Sequence, residues 1–471
     1  MRLLPRIVLP SLLALLGSAP CLQAAIDHDV STYGAAGKDI ASDTAAIQRA
    51  IDACAIEGGR VVVPPGAHYT IGTIVLKSGV ELWLGPGSLL EASPHYSDFT
   101  QFAFPPVNFD PSPPVKIGVL VYADGADDLT IDGPGRIDGN CLAYVSEKLP
   151  HIYKCPNDRP FAMVLKRCHR LRLRNFSLTN SAFWTLRLLG CSDAVLEDLN
   201  IDGDLLMPNN DGLDIDRCAN VRVHDCKIST GDDCISLKAV PLNEGIEMAC
   251  ENVIITGCEL RSRSSGVVVG CDCSGPIHDV VVSDCIIRDS HRGVAVRQSL
   301  AGSMEHILFS NLIIETKIFD SAWWGRGEPI QIAALPWNAQ TTLGHISDVR
   351  FSNLDCRSEN GVVVYGSESG HIDGISFDHV SVRINRPSEF AGGQQDLRPK
   401  DGDPMPEIPT SGFLLHNAAN VTIKDCAITW GPNPPSYFRH ALDAEGCTGL
   451  SVTDLTGDAA HPGDAARVVQ P

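Results

Sequence analysis

Two acidic steps lie one short interval apart in this chain. Asp211 stands in Asn209-Asn210-Asp211-Gly212, Asp232 and Asp233 stand in Gly231-Asp232-Asp233, and Asp211 and Asp233 are 22 residues apart. Each step runs into an alternating stretch, Leu213-Asp214-Ile215-Asp216 after the first and Ile235-Ser236-Leu237-Lys238 after the second. Carboxyls a few Å apart cannot all ionise, so one is held protonated while another stays anionic. Cleavage of a glycosidic bond uses that division, with an acid for the leaving oxygen and a base or nucleophile for the anomeric carbon. Two competing readings are a calcium site and ordinary turn aspartates, since Asn-Asp-Gly and Gly-Asp-Asp are also turn sequences.

An interval of 22 residues is about one turn of a stacked β solenoid, which would place Asp211 and Asp233 one above the other. The rest of the chain carries that architecture. One strand type, x-L-x-L, recurs nine times, for example as Gly118-Val119-Leu120-Val121, Gly212-Leu213-Asp214-Ile215, Gly266-Val267-Val268-Val269, Gly293-Val294-Ala295-Val296 and Gly361-Val362-Val363-Val364. A second type follows most copies and ends in Asp, Asn, Gly or His and then an apolar residue, as in Asp225-Cys226, Gly257-Cys258, Asn311-Leu312 and His379-Val380. Successive copies lie 23 to 46 residues apart, mostly 23 to 32. Two short strands per rung cannot bury an apolar face alone, and stacked rungs make a continuous core. The fold class is therefore all-β, a single-stranded right-handed parallel β-helix over residues 25–471. A helix at 44–55, capped by Asp43, would cover its first rung with Ile47, Ala50, Ile51 and Cys54. Strands are expected at 60–63, 73–76 and 80–84. The longer intervals mark insertions at 98–114, 142–157, 318–327 and 387–409, which should form rims on one face.

Residues 1–24 carry Arg2 and Arg6, an apolar run and Leu22-Gln23-Ala24, which suits a secretory signal and a periplasmic or extracellular protein. Eight of the 17 cysteines fall at two repeat positions, Cys226, Cys258, Cys285 and Cys426 in one set and Cys168, Cys191, Cys218 and Cys250 in the other. They read as packed thiols, with bridging of a few neighbours as the alternative. A net charge of −20 argues against nucleic acid or an anionic membrane as partner, and no later stretch is apolar enough to span a bilayer. A monomer without cofactor or resident metal is expected.

With rungs in register, the residue before each x-L-x-L strand forms a column: Asp211, Asp233, Ser265, Arg292, Glu328, Asn360, Ser411. The row behind it holds Asn210, Asp232, Ser264 and His291, and outward strand positions add Asp214, Asp216, Ser236, Lys238, Arg297 and Gln331. Carboxylates on two rungs with Arg and Lys beside them form a mixture that shifts pKa values and suits acid–base work. Asp214 and Asp216 are weaker candidates, because outward polar alternation accounts for them. Trp323-Trp324-Gly325-Arg326-Gly327-Glu328 offers two aromatics to stack on a pyranose with charged groups to orient it, or else tryptophans packed into the body.

Asn209-Asn210-Asp211-Gly212, Gly231-Asp232-Asp233 and the opening Val30-Ser31-Thr32-Tyr33-Gly34-Ala35 resemble the family 28 glycoside hydrolases, the polygalacturonase-like enzymes, in a divergent bacterial form. The resemblance implies that Asp211, Asp232 and Asp233 are the catalytic carboxylates of an inverting hydrolase, with Asp232 or Asp233 the acid and the others holding the water. It also implies an exo-acting or side-chain-trimming pectin enzyme. Two later motifs depart from the family. Ser264-Ser265-Gly266 stands for Gly-His-Gly, and Ala295-Val296-Arg297 for Arg-Ile-Lys. The substrate-binding set is then Asn209, Ser265, Arg292, Arg297, Lys238, Trp323, Trp324 and Glu328. A β-helix polysaccharide lyase using calcium with Arg297 or Lys238 as base is the second reading. A non-catalytic glycan-binding β-helix is the third.

Overall fold

Winding short strands into a solenoid needs a sharp bend at the same point of every turn. The polar residue ending the second strand type is that bend. Asn175, Asp198, Asp225, Gly257, Asp284, Asn311, Asn353, His379, Asp425 and Asp454 all have φ between 49° and 66°. Gly enters this left-handed region freely, and Asn, Asp and His enter it more readily than other residues. The apolar residue that follows then points inward, so Phe176, Leu199, Cys226, Cys258, Cys285, Leu312 and Leu354 are buried. Amide ladders tie the bends together, with Asn311 Nδ2 donating to Asp284 Oδ1 at 3.0 Å and Asn353 Nδ2 to Asn311 Oδ1 at 2.9 Å.

The structure, a computed structural model, describes residues 26–104, 115–241, 248–399 and 402–471. The expected signal at 1–24 and part of the 98–114 insertion lie outside the described residues. The chain is a parallel β-helix. Among the described residues every paired strand runs parallel except Gln101–Phe104, which pairs antiparallel with Val115–Asp124. The x-L-x-L copies share one sheet, running from Ile74–Val75 to Arg467–Gln470. One turn reads Leu213–Asp216, Ala219–His224, Lys227–Thr230 and then Ile235–Lys238. Most rungs therefore have three strands, one more than expected, while in those of Ser303–Thr316, His345–Ser358 and Ile372–Ile384 the second and third run on as one. Where it stands alone, as in Ser177–Thr179 or Ile286–Ser290, the third is only three to five residues long, too short to display an alternation.

The N-terminal helix is Ile40–Glu57, four residues longer at its start than expected. Asp39, not Asp43, is the cap, its Oδ2 accepting from Ser42 N at 2.8 Å. Asp43 lies in the first turn and accepts from Ala36 N and Lys38 N, which fixes the incoming chain instead. Ala46, Ile47, Ala50, Ile51 and Cys54 are buried against the first strands, so the helix closes the open end of the solenoid. Strands Arg60–Val63, Ile74–Val75 and Glu81–Leu84 fall where expected, while His68–Ile71 and Leu89–Ala92 are additional.

Inside, identical positions stack rung on rung. Phe309, Phe351 and Phe377 stack with centroids 5.0 and 5.1 Å apart, close to the strand spacing of about 4.8 Å. All described cysteines are free, so none of the neighbouring pairs is bridged. They pack as small hydrophobes, Cys191 Sγ lying 3.4 Å from Cys168 N. No helix among the described residues is long and apolar enough to cross a membrane.

Candidate active site

Register brings the acidic steps together. Leu213 pairs with Ile235, Ile235 with Val267 and Val267 with Val294, so Asp211, Asp233, Ser265 and Arg292 follow one another at the strand spacing. Asn210 is why the motif has its form. Its buried Oδ1 accepts from Gly231 N at 2.8 Å and Asp232 N at 3.1 Å, and its Nδ2 donates to Asp204 O, which fixes the second step on the first. A Cβ at Gly231 would lie 2.8 Å from that Oδ1 and 2.3 Å from Met207 O, so only glycine fits there.

One carboxylate oxygen from each of Asp211, Asp232 and Asp233 lies within 4.8 Å of the others. Asp211 and Asp232 are buried and Asp233 half-buried. Burial, then the charges of Asp232 and Asp214, push the Asp211 carboxyl well above the usual range. Burial and the charge of Asp233 push Asp232 up to about 7. Asp233 accepts from Ser265 N at 2.8 Å and from Ser236 Oγ at 3.4 Å. Lys238 Nζ lies 3.6 Å from Asp214 and 4.0 Å from Asp211, and 4.9 Å over the Trp184 ring. Burial lowers its pKa, but the two carboxylates outweigh burial and hold it charged. The carboxylate cluster is of a size a divalent ion can bridge. Lys238 already supplies a cation beside Asp211 and Asp214.

The structure places the remaining candidates in two groups. Ser265 and Arg292 lie beside the acids, Arg292 NH1 being 3.4 Å from Ser265 Oγ. Arg297 is 4% exposed, its NH2 donates to Arg398 O at 2.5 Å, and its Nε has no partner. Trp324 is half-buried between Arg297 at 5.6 Å and Arg398 at 4.7 Å. Asn209 is exposed at φ 58°, and Arg159 NH2 donates to its Oδ1. Two candidates face inward instead. Trp323 is 2% exposed, with Nε1 donating to His151 O at 2.8 Å, so it offers no free ring face as a sugar platform. Glu328 is fully enclosed. Its Oε1 accepts from Arg292 Nε at 2.6 Å and its Oε2 from Arg326 N, so it holds Arg292 rather than facing the groove. His291 is likewise fully buried, edge-on to Phe319. Asp214 and Asp216 are fully buried as well. Asp216 pairs with Arg187 NH2 at 2.5 Å, while burial pushes the Asp214 carboxyl up to about 7, with Lys238 and Arg187 offsetting part of the rise.

Several side chains at the site were not legible. Asp396 and Arg398 reach Arg292 and Trp323 from an insertion marked only as a rim. No local pattern distinguishes them. Arg187 had a signal, since Leu186-Arg187-Leu188 alternates 27 residues before Leu213-Asp214-Ile215, but no Gly or Pro precedes it. Asp272 is half-buried beyond Ser265–Cys271, and burial pushes its carboxyl up while Lys238 offsets part.

Apolar side chains cover the outward row on either side of the acids. Ahead of the acids, Phe102 stacks on Tyr122 and Phe104 meets Phe161 edge-on, covering the outward row that leads to Arg187. Beyond them, Leu397 packs on Ala333, Val363 and Leu414.

The family model of glycosyl hydrolases family 28 matches residues 114–391, and that of rhamnogalacturonase A/epimerase, pectate lyase-like, matches residues 28–98. A probable polygalacturonase of Vitis vinifera is 26% identical over 257 residues, 52% of each chain. The chain spans about half the length of the curated relatives it matches. Among solved structures, a hyperthermoactive exopolygalacturonase from Thermotoga maritima aligns with TM-score 0.62 at 17% identity, covering 93% of this chain and 94% of that one. A family 28 exopolygalacturonase from Yersinia enterocolitica aligns with TM-score 0.60 at 17% identity, covering 95% and 77%. At these identities the two structures bear on the fold.

Proposed function

Because the chain belongs to glycosyl hydrolases family 28, we propose that it hydrolyses O-glycosidic bonds of a pectin-type chain, of galacturonate or rhamnogalacturonan, with Asp211, Asp232 and Asp233 as its reacting groups. The observation that carries this is the grouping of three carboxyls within 4.8 Å, with Asp232 held near pKa 7. Asp232 is the acid that protonates the leaving oxygen. Asp211 and Asp233 hold the water, and Asp233 takes its proton. Arg297 and Lys238 meet an acidic sugar, and Trp324 lines the pocket against Arg297. Ser265 stands where the family carries histidine, so the pocket differs from that of polygalacturonase proper.

An outward row covered on either side of the acids favours exo action, releasing one small unit at a time, and a ladder of mid-sized oligomers early in digestion contradicts this. Arg2, Arg6 and the apolar run that follows them favour export. Family likeness points to inversion of the anomeric centre. Retention is the alternative, in which a carboxylate attacks the anomeric carbon in place of the water. The first-formed anomer, observed by proton NMR, decides between them. The reaction class is tested by incubating the purified protein with pectin fragments while following reducing ends and ultraviolet absorbance. New reducing ends without an unsaturated product are expected. An absorbing 4-deoxy product would assign a lyase instead.

A further inference from the structure

Asp396 is fully buried, and every oxygen it owns is used to hold an insertion on the groove floor. Its Oδ2 accepts from Arg292 NH2 at 3.0 Å and Gly325 N at 2.6 Å, and its Oδ1 from Arg398 Nε at 2.7 Å. Its carbonyl accepts from Gln331 Nε2 at 2.8 Å. These partners lie 104, 71 and 65 residues away in the cases of Arg292, Gly325 and Gln331, so one residue joins three parts of the chain, two of them through its side chain. Arg398 extends the junction, donating to Ser321 O and Trp323 O. Burial raises the pKa of Asp396, but Arg292 and Arg398 outweigh it and hold the carboxylate well below its usual range. A buried carboxylate persists only when paired in this way.

The outward row Asp214, Ser236, Val268, Ala295 continues in register as Gln331, Val363 and Leu414. The first four form the floor beside the acids. The last three lie under Asp396 and Leu397. A polymer following this row from the acids would therefore meet the insertion one rung past Ala295.

We infer that Asp396 is a positioning residue that pins residues 387–399 across the groove and so fixes where along a chain the bond is cut. The inference rests on the hydrolase reading for its consequence, but the pin itself does not. Asp396→Asn keeps the shape while removing the charge that Arg292 and Arg398 share. Leu397→Ala loosens the same segment without touching a charged group. Both are expected to raise the share of products longer than a dimer several-fold in early digestion of long pectin fragments, and to lower KM for those fragments. Turnover of the shortest cleaved substrate should stay near wild type in Leu397→Ala, which leaves Arg292 and its partners in place. A merely structural role would lower turnover on all lengths in proportion and leave the product spectrum unchanged, and that result overturns the inference. Amide exchange is read in parallel. Faster exchange confined to residues 387–399 and 318–327 in Asp396→Asn supports the pin, and unchanged protection overturns it. If the wild-type protein cleaves nothing in the panel, the hydrolase reading fails, and exchange alone decides the pin.

Discussion

Asp232→Asn should make the protein more stable at pH 8 while disabling it. Asp232 is 8% exposed, and burial together with the charge of Asp233 raises its carboxyl from 3.8 to about 7. A folded-state pKa above the unfolded one means that the native state binds the proton more tightly. The associated stability is present in full below about pH 4 and lost as pH rises through about 7. About three pKa units correspond to a ceiling of about 4 kcal/mol, and relaxation around a cluster of three carboxyls brings the expected gain to about 1–3 kcal/mol. Asparagine has the same shape and keeps the acceptor for Asp233 N, now at 3.0 Å, so no cavity is made. The assay is denaturant unfolding of wild type and variant at pH 4.5 and pH 8, because thermal shifts are compressed in a chain this long, to about 1 °C per kcal/mol. The midpoint difference should favour the variant at pH 8 and shrink at pH 4.5. A variant less stable at pH 8, or a difference that does not change with pH, would refute the electrostatic account of the cluster.

Activity should fall as pH rises through about 7, because Asp232 must hold its proton to act as the acid, and a pH–rate profile on any cleaved substrate reads this directly. Arg297→Ala should lower kcat/KM by about 1.5–3 kcal/mol, the worth of a buried charged hydrogen bond, and Arg297→Lys should recover part of it; unchanged kinetics would remove Arg297 from the pocket. Asp39→Ala should cost about 1 kcal/mol as loss of the helix cap, whereas a silent variant would return the capping role to Asp43.

The solenoid was legible because its signals are local and repeated. Asp225-Cys226 and Asn311-Leu312 show the bend and the inward turn in two residues, and the bend's φ explains the choice of residue. The third strand of most rungs was hidden because pieces such as Ser177–Thr179 are shorter than a period-2 pattern requires. The acidic half of the site was readable from register alone, since Asp211 and Asp233 stand one rung apart. Its basic half was not. Glu328 occupies the column, yet register does not say whether a side chain points to the groove or folds back onto Arg292. Asp396 arrives from an insertion whose path depends on partners as far as 104 residues away, and no spacing rule reaches that far. The cap moved from Asp43 to Asp39 because both precede an apolar face, and Asp43 had stronger use tying Ala36 and Lys38.

The central claim is that three stacked carboxyls perform the chemistry. It is tested most directly by kcat of Asp211→Asn, Asp232→Asn and Asp233→Asn, each shown to be folded by circular dichroism, on the substrate the wild type cleaves fastest. Each variant should lose roughly 10²–10⁴-fold or more, since a single acid–base group carries about that much. Turnover near wild type in all three would place the reaction elsewhere on the helix.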